Sequence, residues 1–108
     1  MYDPDHFRLD QQVAIVTGGA RGIGAGIARC LADAGARVGI VDIDGVEAEK
    51  TAASLGVHAL GLAADASDEN AIAEATARIH AELGGLDVFV NNAGLSWPGT
   101  IVDGEPEK

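Results

Sequence analysis

Residues Thr17 to Gly24 read TGGARGIG, and they join two segments of opposite character. Before them, Val13 to Gly18 is a run of β-branched and small residues ending in glycine. It is apolar on both faces, as a buried parallel strand is. After them, Ile23, Ile27, Cys30, Leu31 and Ala34 recur at spacings of three and four, which predicts one apolar stripe on a helix. A strand, a tight glycine turn and a helix in this order, repeated by the alternation that follows, imply parallel βαβ units. Gly35 then supplies a left-handed C′ residue to end the helix.

Such a turn has a chemical consequence. It opens a helix whose free N–H groups and dipole favour an anion. Gly18 is expected to make the turn, and Gly22 and Gly24 to allow close approach of a pyrophosphate and close helix–strand packing. Gly26, one turn on, is a further packing candidate. The spacing is G-x-x-x-G-x-G rather than the common G-x-G-x-x-G, since position 27 is Ile27. No lysine follows in the place a P-loop requires. The bland alternative is a glycine-rich turn with no ligand.

The alternation continues. Arg37 to Ile43 is a second buried strand, and Asp44 a candidate cap for a helix with Val46, Ala53 and Leu55 on its inner side. Val57 to Asp65 is a third strand, weakened by Gly61 and its alanines. Ser67 or Asp68 caps the next helix, whose stripe is Ile72, Ala75, Thr76, Ile79 and Leu83 and which Gly84-Gly85 stops. Leu86 to Asn92 is the fourth strand. The whole is β-α-β-α-β-α-β, one domain over residues 1–108, with irregular segments at both ends.

Asp42 stands 18 residues beyond Gly24, where the second strand ends. An acid there accepts hydrogen bonds from both hydroxyls of an adenosine ribose and repels a 2′-phosphate. Two unit charges about 4 Å apart interact by roughly 4 kcal/mol at an effective dielectric near 20. Even after heavy screening this favours NAD over NADP by about tenfold. Arg21 pulls the other way, because an arginine in the glycine loop can pair with a 2′-phosphate. Asp42 outweighs it by occupying the ribose position itself. The competing readings are a turn or cap for Asp42 and a surface or pyrophosphate-side position for Arg21.

Composition narrows the partners. A net charge of −10 argues against nucleic acid and anionic membrane surfaces, though not against a small anionic ligand held at one helix end. Apolar residues at 47% make disorder an unlikely reading. The one cysteine, Cys30, allows no internal disulfide. His6, His58 and His80 have no metal-ligand spacing with one another or with Cys30, so no metal is expected. With no apolar signal core and no membrane-length apolar stretch, a soluble cytoplasmic protein is the default expectation.

TGGARGIG, the Val-Asp-Ile at 41–43, Ala-Ala-Asp-Ala-Ser at 63–67 and Asn-Asn-Ala-Gly at 91–94, in this order, resemble the short-chain dehydrogenase/reductase family. The likeness runs from about Leu9 to Gly94, in the branch with this glycine spacing rather than the extended branch. It implies a Rossmann-type α/β fold, a parallel sheet with helices on both faces. It further implies that Gly18, Arg21, Gly22, Ile23 and Gly24 line the pyrophosphate and adenosine ribose. Asp42 and Ile43 would hold that ribose and flank the adenine, and Asp65 and Ala66 would meet the adenine edge. Asn92, Ala93 and Gly94 would pass beside the cofactor, while Asn91 would stabilise the sheet through backbone groups at the strand end.

The same resemblance implies NAD-dependent hydride transfer between the nicotinamide and a small-molecule alcohol or ketone, in a protein that is a homo-oligomer when intact. Family members use serine, tyrosine and lysine for this, the last two as Tyr-x-x-x-Lys. Here the tyrosine is Tyr2 and the lysines are Lys50 and Lys108, none in that arrangement, so no catalytic residue is assigned. The sequence reads as the cofactor-binding half of a dehydrogenase, cut short after the fourth strand, with strand order 3-2-1-4 and LDVFV as an exposed apolar edge. Trp97 then covers a neighbouring surface or sits in the substrate cleft. Two other readings stay open: a short chain that binds dinucleotide without turnover or borrows its catalytic half, and an open α/β domain of the methyltransferase kind.

Overall fold

The computed structural model describes residues 8–93. Tyr2, His6, Gly94, Trp97 and Lys108, named above, lie outside the described residues. The elements run β1 (Val13–Thr17), α1 (Gly22–Asp33), β2 (Arg37–Asp42), α2 (Gly45–Leu55), β3 (Ala59–Ala63), α3 (Glu69–Leu83) and β4 (Val88–Asn91). All pairings are parallel and the sheet order is β3-β2-β1-β4, as expected. Each strand stops one or more residues short of its predicted end, because the chain leaves the sheet there to form the turns above it.

β1 is buried along its whole length, with β2 and β4 on either side. Its alternating side chains build two cores. Val16, Val38 and Ile40 meet Ala28 of α1 and Ala48 and Ala52 of α2 on one face. On the other, Val13, Ile15 and Val41 meet Ala75 and Ile79 of α3. Gly39 makes room for the second core: a Cβ there would stand 2.5 Å from Ile79 Cδ1. Ile79 therefore inserts over a strand position that has no side chain.

The stripe predicted for α1 is partly in phase with the packing, since Ile27 and Leu31 pack against the core and Ala34 is buried, whereas that of α2 is mostly out of phase. Ile23 is 70% exposed, Cys30 is exposed, and α1 buries Gly24 and Ala28 instead. In α2, Val46 and Ala53 point outward while Ala48 and Ala52 are buried, with Leu55 partly so. These helices lie so close to the sheet that small residues form the most buried part of their inner faces, with Ile27, Leu31 and Leu55 partly buried beside them. At Gly61 of β3, a Cβ would overlap the Ala48 carbonyl of α2. The α3 stripe is in phase, with Ala75 and Ile79 buried and Ile72, Thr76 and Leu83 partly covered.

Capping follows the sequence. Asp44 caps α2 by accepting from the Glu47 N–H, and Asp68, not Ser67, caps α3 by accepting from the Asn70 and Ala71 N–H groups. Gly84 ends α3 in the left-handed conformation, its N–H donating to the His80 carbonyl. At the far end of the sheet, Asp87 Oδ2 accepts from the Val13 N–H at 2.9 Å and the Asp87 N–H donates to the Val13 carbonyl at 2.8 Å. This pair sets the start of β4 beside β1. β4 pairs with β1 on one side, and Phe89 is 46% exposed. No helix among the described residues is long and apolar enough to cross a membrane.

Candidate nucleotide site

All four strands end at one edge of the sheet, and the turns leaving them enclose a cavity of about 510 Å³. It lies at the crevice where the chain order reverses, β2 to one side of β1 and β4 to the other, the position at which open α/β sheets bind ligands. Gly18, Arg21, Gly22 and Ile23 line it from the glycine loop, Asp42 and Ile43 from the end of β2, Asp65 and Ala66 from the end of β3, and Asn92 and Ala93 from the end of β4. The sequence reading missed Val41 and Ala64, which also line it. Their signal was available, since each directly precedes a named residue at a strand end.

Gly24 is not on the wall. It lies beneath the loop, where a Cβ would overlap the Gly18 carbonyl and stand 2.6 Å from Asn92 Nδ2. Gly18 and Gly22 adopt positive φ, +65° and +59°, conformations that side chains other than glycine rarely take. A Cβ at Gly22 would meet nothing within 4 Å, so that position leaves open space at the start of α1. The packing expected of Gly26 is absent: it is exposed, and a Cβ there would also meet nothing within 4 Å.

α1 differs from the other two helices at its N-terminus. Its N-cap residue, Arg21, makes no side-chain cap, and its first turn holds no acid. α2 and α3 each have an aspartate cap and an acid in the first turn. The leading amides of a helix have no partner within it. At α1 no side chain of the cap residue answers them, and the dipole there favours an anion.

The loop is fastened before any ligand arrives. Asp42 Oδ2 accepts from the Ala20 N–H at 3.2 Å and Oδ1 from the Asp44 N–H at 3.0 Å. Thr51 Oγ1 of α2 donates to the Ala20 carbonyl at 2.6 Å, and the Gly18 N–H donates to the Val41 carbonyl at 2.7 Å. A carboxylate has about four acceptor positions, so Asp42 keeps roughly two for a ligand's hydroxyls.

The paired asparagines divide their roles differently from the expectation. Asn92, 2% exposed, donates from Nδ2 to the Gly18 carbonyl at 3.0 Å, so it is Asn92 that satisfies the backbone of the loop. Its Oδ1 is buried without a hydrogen-bond partner among the described residues. Asn91 accepts from Thr17 Oγ1 at 3.0 Å, a cross-strand side-chain bond rather than one to the backbone. Thr17, 2% exposed, also accepts from the Ala93 N–H at 3.3 Å and so ties β1 to the turn after β4.

Asp65 is exposed beside the cavity. The Ser67 hydroxyl donates to its Oδ1 at 2.7 Å and the Ser67 N–H at 2.9 Å. These bonds favour the ionised form and hold its pKa below the ordinary value of 3.8.

This parallel sheet with flanking helices, a glycine loop and a strand-end acid defines the class, a Rossmann-type nucleotide-binding domain. The sequence matches the family model for short chain dehydrogenases over residues 12–108, and the chain belongs to that family. It is 44% identical over 96 residues to 2,3-dihydro-2,3-dihydroxybenzoate dehydrogenase of Bacillus subtilis, covering 86% of this chain and 37% of that one. With D-threitol dehydrogenase of Mycolicibacterium smegmatis it shares 45% identity over 94 residues, 83% of this chain and 36% of the other. Among solved structures, 3-ketoacyl-(acyl-carrier-protein) reductase from Brucella melitensis, complexed with NADH, superposes with a TM-score of 0.72 at 38% identity. That match covers 75% of this chain and 33% of the reductase. The chain thus spans little more than a third of the length of the curated relatives it matches.

Proposed function

We propose that this chain forms the adenosine- and pyrophosphate-binding part of an oxidoreductase that moves a hydride between NAD and a small alcohol or ketone. One observation carries the reading: α1, uncapped and free of acid in its first turn, opens onto the same cavity as Asp42. An anion-favouring helix end and a carboxylate at the end of β2 on one cavity suit a nucleotide that carries both phosphates and ribose hydroxyls. The open space at Gly22 and the acceptor positions left on Asp42 fit the group.

The roles divide by residue. The α1 amides and the loop around Gly22 hold the pyrophosphate. Asp42 accepts from the adenosine ribose and disfavours a 2′-phosphate. Ile23, largely exposed on the cavity wall, lies along the pyrophosphate and ribose, Ile43, also largely exposed there, flanks the adenine, and Asp65 accepts from its exocyclic amine. Ala66 meets the adenine edge beside Asp65, and Asn92 and Ala93 pass beside the cofactor. When bound, the nicotinamide supplies or takes the hydride. The described residues contain no tyrosine, so the acid/base relay expected of the family is not assigned to them.

The test is equilibrium titration of the full-length protein with NAD, NADP and S-adenosylmethionine. NAD is expected to bind about tenfold tighter than NADP, with no binding of S-adenosylmethionine. Equal affinity for the two dinucleotides would remove the assigned role of Asp42. Binding of S-adenosylmethionine alone would overturn the whole reading.

A further inference from the structure

Arg21 is the one cation among the described residues that line the cavity, and it does not stand free over it. Its Nη2 lies 2.5 Å from Asp44 Oδ2. Asp44 is engaged at both oxygens, since its Oδ1 caps α2 through the Glu47 N–H at 3.1 Å. The geometry turns the arginine toward the N-terminus of α2. Asp42 carries the other charge at this corner, and its oxygens already accept from Ala20 and Asp44. Two acids and one arginine therefore meet where the proposed ribose site borders the glycine loop.

We propose that Asp44 is a selectivity-determining positioning residue, acting through Arg21 as a latch. It binds and neutralises the cation that a 2′-phosphate would otherwise recruit, and so reinforces the exclusion of NADP by Asp42. The inference rests on the dinucleotide reading above. Its chemistry is direct. A guanidinium on the wall of a cavity that takes a nucleotide is a phosphate ligand unless another anion occupies it. Both partners are substantially exposed, at 66% and 42% for the side chains, so the latch is weak enough to be competed. A pair of this exposure shifts an equilibrium by up to about five-fold.

Asp44→Asn separates the latch from the cap, because asparagine caps a helix about as well as aspartate but does not neutralise an arginine. Full-length wild type, D44N, R21A and the double variant are titrated with NAD and NADP by calorimetry. D44N is expected to tighten NADP about five-fold and leave NAD within about twofold. In the R21A background the same substitution is expected to leave NADP within about twofold, since no arginine remains to be released. General loosening of α2 would weaken both nucleotides together and leave their ratio unchanged.

An unchanged ratio in D44N, with NAD still bound, would overturn the latch alone. So would an equal gain for NADP in the R21A background, which would mean that the lost negative charge acts directly. Wild-type protein that binds neither nucleotide would overturn the dinucleotide reading, and the latch with it.

Discussion

Gly24→Ala is the sharpest probe of how the glycine loop is built. The new Cβ would overlap the Gly18 carbonyl and stand 2.6 Å from Asn92 Nδ2. The first obstacle is backbone, so no rotamer change relieves it, and α1 has to move away from β1. Overpacking of this kind costs about 1–3 kcal/mol. The movement also pulls Gly18 from Asn92, whose 3.0 Å bond is part-buried, at about 1–3 kcal/mol for the groups left without partners. Helix propensity returns about 1 kcal/mol for alanine over glycine. The net expectation is a loss of about 3 kcal/mol.

Gly26→Ala, two residues along the same helix, is the matched control. Its Cβ would meet nothing within 4 Å, and its φ is not positive. Only the propensity gain remains, so stability should rise by about 0.5–1 kcal/mol. The two variants should therefore differ by nearly 4 kcal/mol. Urea unfolding of the full-length protein without nucleotide, followed by circular dichroism, reads this as a change in midpoint at constant slope. If both variants unfolded within about 0.5 kcal/mol of wild type, the close approach of α1 to the Gly18 carbonyl would be refuted.

Three other outcomes follow from the packing and the caps. Gly39→Ala should cost about 1–3 kcal/mol, and adding Ile79→Val should recover part of it, since the obstructing atoms belong to Ile79; additive losses in the double variant would refute the contact. Asp68→Ala should destabilise by about 1 kcal/mol while Asp68→Asn stays near wild type in the same unfolding assay. In an NMR titration, the Asp65 carboxyl should protonate below its ordinary value of 3.8, and Ser67→Ala should raise that midpoint by removing the hydroxyl bond. The folded pKa lies below the unfolded one, so the Ser67–Asp65 turn gains from ionisation above the unfolded pKa and loses it as pH falls through the folded value.

Much of the fold was legible because β1 and β2 are buried on both faces and all four strands lie between helical stretches marked by glycine or acid. The alternation and the order β3-β2-β1-β4 follow from that pattern and the family resemblance. The inner faces of α1 and α2 were legible only in part, through Ile27, Leu31, Ala34 and Leu55. Hydropathy periodicity favours large apolar residues, but close approach to the sheet selects Gly24, Ala28, Ala48 and Ala52 and sends Ile23 and Val46 outward. The exposed Ile23 is not a packing error, since it forms part of the cavity wall. The hydrogen-bond partners of Asn91 and Asn92 were not legible for a different reason. Identical neighbours cannot be told apart by residue type, and the roles were set by where β4 stops: Asn91 is still paired with Thr17, and Asn92 lies one step beyond. Gly39 gave no local sign of its purpose, which exists only because α3 returns across the sheet to place Ile79 over it.

Asp42 has consequences for how a lineage with this site could exchange one cofactor for another. Its carboxylate holds the Ala20 and Asp44 amides in place as well as facing the cavity. A mutation to a small apolar residue, the simplest way to admit an extra phosphate, would also strand both amides and slacken the turn that presents them. Asparagine or serine at this position could keep an acceptor while shedding the charge, and so offers a passable first step. The order of substitutions along such a path is thus constrained by the resting architecture, before any nucleotide is chosen.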